Sequence, residues 1–442
     1  MEIINSKIPQ VMEDFIKGVC VKFEDNEKLQ KMIYNTFVNT YQTTLMIEED
    51  ETFVITGDIP AMWNRDSACQ VRPLLVLAKE SEEIRNIIKG VINLHKRQVL
   101  IDPYANAFNK TAATVGDHCD DLTDQGPMVW ERKYEIDSLC YPIQLAYLYY
   151  ANTQDDSIFD QGFIDMVEKI YEVFKVEQEH MEKSPYSFRR IADWLLFDNP
   201  ERIKYETLNC KGKGTPVGYT GMTWSGFRPS DDACQLGYLV PSNCFAVVVL
   251  DYVVEIYNKI WPEKDATKFA LLQSEIAKGI KEFAIVKNQN GEDVYAYEVD
   301  GLGNHSIMDD ANVPSLLALP YLGFCSVDDQ VYQNTRKTIL SKENPFYYAG
   351  SVAKGIGSPH TPENYIWHIS MAIEGLTTTD KSEKERILKQ FINSDNNEYL
   401  MHEGFNVDDP SHYSRPWFSW ANSMFVEFIF SLVDVHVKTK AE

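Results

Sequence analysis

Apolar residues recur along most of the chain at spacings of three and four positions, the period of a helix that buries one face. In KLQKMIYNTFVNTYQTTL, for example, Leu29, Met32, Ile33, Phe37 and Tyr41 share one face. This pattern predicts about a dozen helices, each roughly three to six turns long. The predicted helices are residues 8–23, 26–46, 66–80, 82–101, 136–151, 161–183, 231–260, 264–285, 328–342, 364–378, 380–393 and 418–438.

Between the helices lie short strand-like pieces, such as TFVITG and DVYAYEVDG, and four long non-helical stretches. These stretches cover residues 102–135, 184–230, 286–312 and 343–363 and are rich in Trp, Tyr and Phe. Aromatic side chains in loops indicate packed or ligand-facing surfaces rather than linkers. We therefore expect the chemistry of this protein in its loops.

The predicted architecture is all-α and continuous, because no Pro/Ser-rich linker or low-complexity tract divides the chain. A dozen helices that alternate between long and short loops can close as six hairpins into an (α/α)6 toroid. An open solenoid is the alternative, but it requires clearer periodic similarity. We predict one (α/α)6 domain over residues 1–442, with long decorated loops at one end.

Charge limits the classes of partner. The chain has 42 Lys and Arg against 66 Asp and Glu, a formal charge of −24. Nucleic acids and anionic membranes carry the same sign of charge, so neither is an expected partner. An acidic chain with 44% hydrophobic residues suits a globular protein that binds a neutral substrate.

The eight cysteines are scattered and form no C-x-x-C pair, which fits a reducing compartment. The first residues lack the pattern of a signal peptide, and we expect no stretch that approaches the ~20 apolar residues of a membrane span. We therefore expect a cytoplasmic protein without a membrane partner. The nine histidines show no metal-ligand spacing, and we predict neither metal nor cofactor.

The first candidate segment, GDIPAMWNRDS, comes directly before a predicted helix and contains Trp63, Arg65 and Asp66. An Arg offers a fork of donors and a carboxylate two acceptors, a combination that binds neighbouring hydroxyl groups. The alternative is structural, with Asp66 as a helix cap and Arg65 in an ion pair.

The second segment, GMTWSGFRPSDDA, places Trp224 and Arg228 before the adjacent carboxylates Asp231 and Asp232. We expect this pair to open a long helix that begins near Asp232. Two carboxylates in a dry site cannot both ionise freely, so one is a candidate proton donor. A doubly acidic helix start is the structural alternative.

The third segment, MHEGFNVDD, holds Glu403 in a loop before a Trp-rich helix start. A carboxylate there can orient a water as a general base. The zinc-peptidase pattern H-E-x-x-H is absent, because position 406 is Asn.

A fourth segment, MDDANVP, carries Asp309 and Asp310, for which a turn and helix cap is the alternative to ligand binding. Two more loops contribute Trp130 and His360. Neutral, hydroxyl-rich sugars suit such loops, because aromatics cover sugar rings while Asp, Glu, Asn and Arg satisfy hydroxyl groups. The segments together predict a carbohydrate site, and hydrolysis there would need one protonated and one ionised carboxyl group.

The same segments resemble a known family. They are GDIPAMWNRDSACQVRP (57–73), WERKYEIDSLCYP (130–142), GMTWSGFRPSDDACQLGYLVPSN (221–243), MDDANVPSLLALPYLG (308–323), and MHEGF with SRPWFSWANSMF (401–425). In this order they are similar to glycoside hydrolase family 125, the bacterial and fungal exo-α-1,6-mannosidases.

The resemblance implies an (α/α)6 fold and inverting, metal-independent release of terminal α-1,6-linked mannose. It implies a general acid at Asp231 or Asp232 and a general base at Glu403, with Arg65 and Asp66 beside the terminal sugar. The expected partner is a mannose-containing oligosaccharide. Another inverting (α/α)6 exo-glycosidase and an inactive sugar-binding toroid are the alternatives; the sequence does not predict an oligomeric state.

Overall fold

Helices predominate in the computed structural model, which describes residues 7–113, 118–190 and 203–441. Residues 114–117 and 191–202 of the predicted long loops lie outside the described residues. The helices are α1 (Gln10–Cys20), α2 (Glu27–Thr43), α3 (Asn64–Val71), α4 (Glu82–Ile101), α5 (Ile136–Thr153), α6 (Gln161–Glu177), α7 (His180–Lys183), α8 (Ile203–Glu206), α9 (Asn209–Gly212), α10 (Val240–Ile260), α11 (Thr267–Gly279), α12 (Leu319–Leu322), α13 (Gln330–Ile339), α14 (His368–Leu376), α15 (Lys381–Ser394) and α16 (Ser419–Leu432). Short 3₁₀ segments, Val21–Phe23 and Arg72–Leu77, follow α1 and α3, and a π-helical turn, Ile280–Ala284, follows α11.

Local capping explains where several helices begin. The Asn26 side chain accepts the Leu29 N–H at 3.0 Å at the start of α2. Asp160 accepts the Phe163 N–H at 2.9 Å at the start of α6. Each cap satisfies an N–H group that the first helical turn leaves without a backbone partner.

Two predicted helices begin later than expected. Helix α10 starts at Val240 rather than near Asp232, because Asp231 (φ +64°) and Gly237 (φ +84°) have left-handed backbones that a right-handed helix excludes. Pro241 lies in the first turn of α10, where its missing N–H costs no hydrogen bond. In the other case, the first residues of the predicted helix 364–378 form a strand before α14.

The strands are short. They are β1 (Leu45–Glu48), β2 (Glu51–Val54), β3 (Met62–Trp63), β4 (Ala107–Phe108), β5 (Val129–Glu131), β6 (Tyr238–Leu239), β7 (Ile285–Lys287), β8 (Asp293–Tyr295), β9 (Glu298–Val299), β10 (His305–Ser306), β11 (Tyr347–Ala349), β12 (Lys354–Ile356), β13 (Tyr365–Trp367) and β14 (Gly404–Asn406). Antiparallel pairs are formed by β1 and β2, β4 and β5, β7 and β8, β11 and β12, and β13 and β14, and β9 lies antiparallel between β6 and β10. The two strand-like sequences, TFVITG and DVYAYEVDG, contain β2, β8 and β9.

The chain forms two compact units, each with its own packed helices. The first unit consists of Met1–His95, Leu145–Ile158 and Phe346–Glu442, and α16 packs there against α2, α3 and α14. The second unit consists of Lys96–Gln144 and Phe159–Pro345, where α10 packs against α11 and α13 against β8. The assignment of residues 1–442 to one domain stays a prediction.

Helix α10 corrects one expectation from the sequence. With 21 residues, it is the one helix among the described residues long and apolar enough to cross a membrane by length and composition. Within its most apolar window, however, 78% of the residues are buried inside the structure. An apolar helix covered to this extent has the character of a core helix.

Candidate active site

Glu403 lies in the first unit, directly before strand β14, and is 6% exposed. The Ser414 hydroxyl donates a hydrogen bond to its Oε2 at 2.9 Å, and Nη1 of Arg415 lies 3.7 Å from its Oε1. One oxygen of the Glu403 carboxylate thus accepts a hydroxyl hydrogen bond, and a guanidinium lies beside the other.

Arg415 is itself held firmly. Its backbone is left-handed (φ +47°), and its guanidinium donates from Nε to Oδ1 of Asp58 at 3.0 Å and from Nη2 to Oγ1 of Thr56 at 3.1 Å. Burial opposes the charge of Arg415, but the carboxylates of Glu403, Asp58 and Asp66 raise its pKa. Arg415 is thus a permanent cation whose position is fixed by Asp58.

The backbone joins the first and third candidate segments. The Asp58 N–H donates to the Trp417 carbonyl at 3.1 Å, and the Ser419 N–H donates to the Thr56 carbonyl at 2.9 Å. Gly57 has a φ of +134°, and a Cβ there would lie 2.2 Å from the Trp417 oxygen. Only glycine fits this approach, so GDIPAMWNRD and SRPWFSWAN form one surface.

Arg65 and Asp66 occupy the first turn of α3, where a carboxylate is favoured by the helix dipole. They are 2% and 4% exposed, and Nε of Arg65 lies 3.6 Å from Oδ2 of Asp66. The Arg65 guanidinium lies 5.7 Å from the centre of the Trp420 ring. Trp63 precedes the helix and is also buried. Because α3 begins at Asn64, the prediction that Arg65 and Asp66 lie at a helix start is confirmed.

His360 belongs to the same unit and is half-buried. Its ring lies 6.1 Å from that of Trp367, which pairs with Gly404 in the β13–β14 ladder. A Cβ on Gly404 would lie 3.1 Å from the Trp367 indole. The ladder therefore connects His360, through Trp367, to the residue that follows Glu403.

Asp231 and Asp232 lie in the second unit, in the segment Arg228–Asp232, which we call the Asp231 turn. The Arg228 N–H donates to the Asp232 carbonyl at 2.7 Å, and the Asp231 N–H donates to the Arg228 carbonyl at 2.9 Å. Asp231 is half-buried with a φ of +64°, and Asp232 is 1% exposed. Since α10 begins at Val240, the prediction that this pair of carboxylates opens a long helix is wrong.

Polar side chains from other segments hold the Asp231 turn. Lys133 Nζ donates to the backbone carbonyl of Asp231 at 2.7 Å, and Asn106 Nδ2 donates to its carboxylate at 3.3 Å. The Ser230 hydroxyl donates to Asp310 at 3.0 Å, and Asn312 donates to the Pro229 carbonyl at 3.0 Å. The turn is thereby fixed at three consecutive residues, Pro229, Ser230 and Asp231.

Arg228 opens the turn and is 2% exposed. Its Nε donates to Oε1 of Glu298 at 2.6 Å, and Oε2 of Glu298 accepts the N–H groups of Gln235 and Leu236. Burial opposes the Arg228 charge, but Glu298 raises its pKa well above the usual value. Nη1 of Arg228 is buried and has no hydrogen-bond partner within the part of the chain that the structure describes.

Asp309 and Asp310 are both buried, but their surroundings differ. Oδ1 and Oδ2 of Asp309 accept the N–H groups of Leu316 and Leu317 at 2.8 and 2.9 Å. Burial raises the pKa of Asp309 to about 8, although these backbone donors oppose the shift. Asp309 therefore closes a turn, whereas Asp310 supports the Asp231 turn through Ser230. Their roles in sugar binding stay predictions.

The two predicted aromatic platforms are not equivalent. Trp224 is 1% exposed and stacks on His180, with ring centres 3.5 Å apart and planes 10° apart. Gly214 and Gly237 lie so close to its indole that a Cβ at either position would come within 2.8 Å of the ring. Trp130 is only half-buried. Trp224 has the surroundings of a packing residue, while Trp130 keeps surface for a ligand.

Three possible metal ligands lie close together in the second unit. Atoms of His118, Asp121 and Glu131 lie within 4.8 Å of one another. Arg190 already binds two of them, at 2.6 Å to Oδ2 of Asp121 and 2.7 Å to Oε1 of Glu131. Burial opposes ionisation of Glu131, but Lys133 and Arg190 hold its pKa below the usual range. An ion would have to compete with this guanidinium.

Several supporting residues were not assigned from the sequence, although most of them lie in or beside the motifs; Asn106 and Glu298 do not. Arg415 and Ser414 belong to SRPW, Asp58 to GDIP, and Lys133 to WERK. A charged residue inside an aromatic motif was the available signal. Their partners are far away along the chain, however, so no local pattern indicates which group each one holds.

Comparison with known proteins agrees with these segments. Residues 26–430 match the family of metal-independent α-mannosidases, GH125. A metal-independent α-mannosidase of Streptococcus pneumoniae, solved as a non-productive complex with α-1,6-mannobiose, is 48% identical with a TM-score of 0.93. The alignment covers 98% of this chain and 100% of that one. The predicted (α/α)6 fold class is confirmed by this match.

Two further proteins are similar to this chain at lower sequence identity. The meiotically up-regulated gene 157 protein of Schizosaccharomyces pombe is 39% identical over 445 residues, which is 96% of this chain and 86% of the yeast protein. A bacterial glucoamylase in complex with acarbose has a TM-score of 0.57 at 13% identity, covering 92% of this chain and 56% of its own. The second similarity concerns the fold alone.

Proposed function

Because this chain belongs to glycoside hydrolase family 125, the metal-independent α-mannosidases, we propose that it is an inverting exo-α-1,6-mannosidase. The observation that carries the linkage is the α-1,6-mannobiose bound by a relative that shares 48% of its sequence. The proposed substrates are mannosides and N-glycan-derived oligosaccharides with a terminal α-1,6-linked mannose.

The proposed roles follow from what each carboxyl group contacts. An inverting hydrolysis needs a proton donor for the glycosidic oxygen and an ionised carboxylate for the attacking water. Glu403 has Ser414 and Arg415 beside its oxygens, which suits the base. Asp231 or Asp232 supplies the proton, since both belong to a turn that is fixed through its neighbours.

The reaction then proceeds in one displacement. The acid protonates the departing oxygen while Glu403 removes a proton from a water, and that water forms a bond to C1 as the glycosidic bond breaks. Mannose leaves with inverted configuration, as the β-anomer. Arg65, Asp66 and Arg228 are assigned to the sugar hydroxyls, where contacts that strengthen in the transition state raise the rate.

The proposed activity is tested by following α-1,6-mannobiose hydrolysis by NMR, with and without a chelator. The expected result is initial release of β-mannose at the same rate in both samples. Mannobioses with α-1,2 and α-1,3 linkages serve as controls and should be cleaved far more slowly. Initial release of α-mannose contradicts inversion, and equal cleavage of all three linkages contradicts the specificity.

The acid is identified by comparing Asp231→Asn with Asp232→Asn. Loss of the general acid should lower hydrolysis of mannobiose by about 10²- to 10⁴-fold. An aryl mannoside with a good leaving group needs little protonation, so the same variant should keep most of its activity on it. The other variant should show no such difference, and the absence of a difference in both contradicts the assignment.

For localisation we propose a reducing, cytoplasmic compartment. All eight cysteines lie among the described residues and are free thiols. Cys119 and Cys210 are exposed, and exposed thiols persist where the environment is reducing. Microscopy of the tagged protein in its own cells, with a secreted protein as control, tests this proposal.

A further inference from the structure

The Asp231 turn is a strained segment that must be held from outside. Asp231 has a left-handed backbone, which side chains other than glycine adopt at an energetic cost. We propose that Lys133 is the positioning residue of this turn, and that it sets the place of the acidic carboxyl group through the Asp231 carbonyl. This inference rests on the proposed function, because it assumes that Asp231 or Asp232 is the acid.

The contact made by Lys133 is specific. Its Nζ donates to the carbonyl oxygen of Asp231 at 2.7 Å, and its side chain is only 3% exposed. The nearest carboxylates are farther away, at 3.6 Å for Oε1 of Glu131 and 3.7 Å for Oε2 of Glu206. The short contact therefore goes to the peptide group that carries the strain.

Lys133 remains a cation in this buried place. Burial opposes the charge, but the carboxylates of Glu131 and Glu206 raise the pKa of Lys133. An ammonium placed at a carbonyl forms a stronger hydrogen bond than a neutral donor. These two acids therefore keep Lys133 charged while its proton donor points at the turn.

Asn106 closes the arrangement into a ring of contacts. Its Oδ1 accepts the backbone N–H of Lys133 at 3.1 Å, and its Nδ2 donates to the carboxylates of Glu131 at 2.9 Å and Asp231 at 3.3 Å. Asn106 is fully buried. Lys133 thus orients the backbone of Asp231, and Asn106 orients its side chain. The two residues together fix the orientation of the turn.

The position matters because catalysis is sensitive to small displacements of the reacting group. A shift of about 1 Å can lower the rate about 10²-fold. Release of the Asp231 carbonyl would let the turn relax and move the carboxyl groups. Such a shift should weaken protonation of the leaving group and leave base catalysis by Glu403 unchanged.

The experiment measures Lys133→Met, which keeps the length of the side chain and removes its donors. Two substrates are compared, α-1,6-mannobiose and 2,4-dinitrophenyl α-mannoside. We expect kcat on mannobiose to fall about 10- to 100-fold with little change in KM, and kcat on the aryl mannoside to fall less than about 3-fold. Lys133→Arg, which keeps the charge, should recover part of the mannobiose activity.

Lys96→Met is the matched control. Lys96 is a similarly covered lysine of the second unit, 7% exposed at its side chain, and its Nζ lies 2.8 Å from Oδ2 of Asp160 at the start of α6. Its loss removes a charge without touching the Asp231 turn. Both substrates should be hydrolysed by Lys96→Met at rates within about twofold of wild type.

An equal loss of kcat on both substrates in Lys133→Met, or no loss on mannobiose, overturns the inference. If Lys133→Met does not fold, Lys133→Gln provides the same test, because its shorter, neutral side chain removes the charged donor from the Asp231 carbonyl. Wild-type protein that fails to cleave mannobiose overturns the proposed function and this inference together. If the wild type cleaves mannobiose but Lys133→Met does not lose more kcat on mannobiose than on the aryl mannoside, only the inference is overturned.

Discussion

The surroundings of Glu403 and of the Asp231 turn differ in which part of the residue the protein holds. At Glu403 the carboxylate itself is held, by the Ser414 hydroxyl at 2.9 Å and by Arg415 at 3.7 Å. At the Asp231 turn the shortest contact goes to a backbone carbonyl, from Lys133 at 2.7 Å. One group is stabilised directly, and the other is positioned mainly through the main chain.

This difference matches the two tasks of an inverting hydrolysis. A base must be ionised before it can accept a proton, so a cation beside its oxygens is useful. An acid must deliver its proton from a defined position, and the 2.7 Å hydrogen bond of Lys133 fixes the turn through the Asp231 backbone carbonyl.

The largest effect that sharpens the comparison is expected for Glu403→Gln. Loss of the base should lower kcat on mannobiose by several decades, because the glutamine amide cannot accept a proton, while mannobiose binding remains. Glu398→Gln, in the same unit, is the control and should keep its activity. Kinetics and calorimetric binding check both, and nearly wild-type turnover would reject Glu403 as the base.

A smaller effect is expected for Arg415→Met. The base acts with any leaving group, so kcat should fall about 10- to 100-fold on both mannobiose and the aryl mannoside. This result would contrast with Lys133→Met, whose loss depends on the leaving group. Arg386→Met, an arginine of the same unit paired with Glu374, is the control. A leaving-group-dependent loss in Arg415→Met would contradict the comparison.

Trp224→Phe should change stability rather than binding. Trp224 stacks on His180 inside the second unit, so the smaller ring leaves unfilled space and should cost about 1–3 kcal/mol of unfolding free energy. The KM for mannobiose should stay unchanged. Urea unfolding and steady-state kinetics measure both, with Trp130→Phe alongside; a higher KM at unchanged stability would instead make Trp224 a sugar contact.

The smallest expected effect concerns pH, and it has opposite signs in the two units. Burial lowers the pKa of His368, which contacts the His402 backbone beside Glu403, to about 3 from an ordinary 6.5. Between these values the unfolded chain binds more protons. The unfolding free energy should therefore fall as the pH decreases below about 6.5, by up to ~1.4 kcal/mol per pH unit.

Asp309, in the second unit, acts the other way. Its pKa is about 8 in the folded protein against an ordinary 3.8, so between these values the folded chain binds more protons. The contribution of Asp309 to the unfolding free energy should decrease as the pH rises from about 4 to 8. Urea unfolding from pH 5 to 8 tests both: His368→Gln should reduce the loss on acidification, and Asp309→Asn the loss towards pH 8. If the unfolding free energy of the variants depends on pH as it does in the wild type, the pKa shifts assigned to His368 and Asp309 are contradicted.

Local patterns predicted much of the fold and of the candidate site. Helical periodicity located α1, α2, α4 and α6 to within a few residues at their starts, since the period of a helix is a property of neighbouring positions. The start of α10 was misplaced, because the left-handed backbones of Asp231 and Gly237 depend on distant contacts. The hydrogen bond from Lys133 to Asp231 joins residues 98 positions apart, and no local pattern encodes it.

The sequence by itself determined the helical character of this protein, its family, and the segments that hold its candidate carboxylates. These depend on residue types and on spacing along the chain. Only the tertiary structure decided that both oxygens of Asp309 serve a turn, that Trp224 lies in a core, and that Arg415 and Lys133 hold different parts of their partners. The physical reason is that burial and hydrogen bonding are set by packing between distant segments.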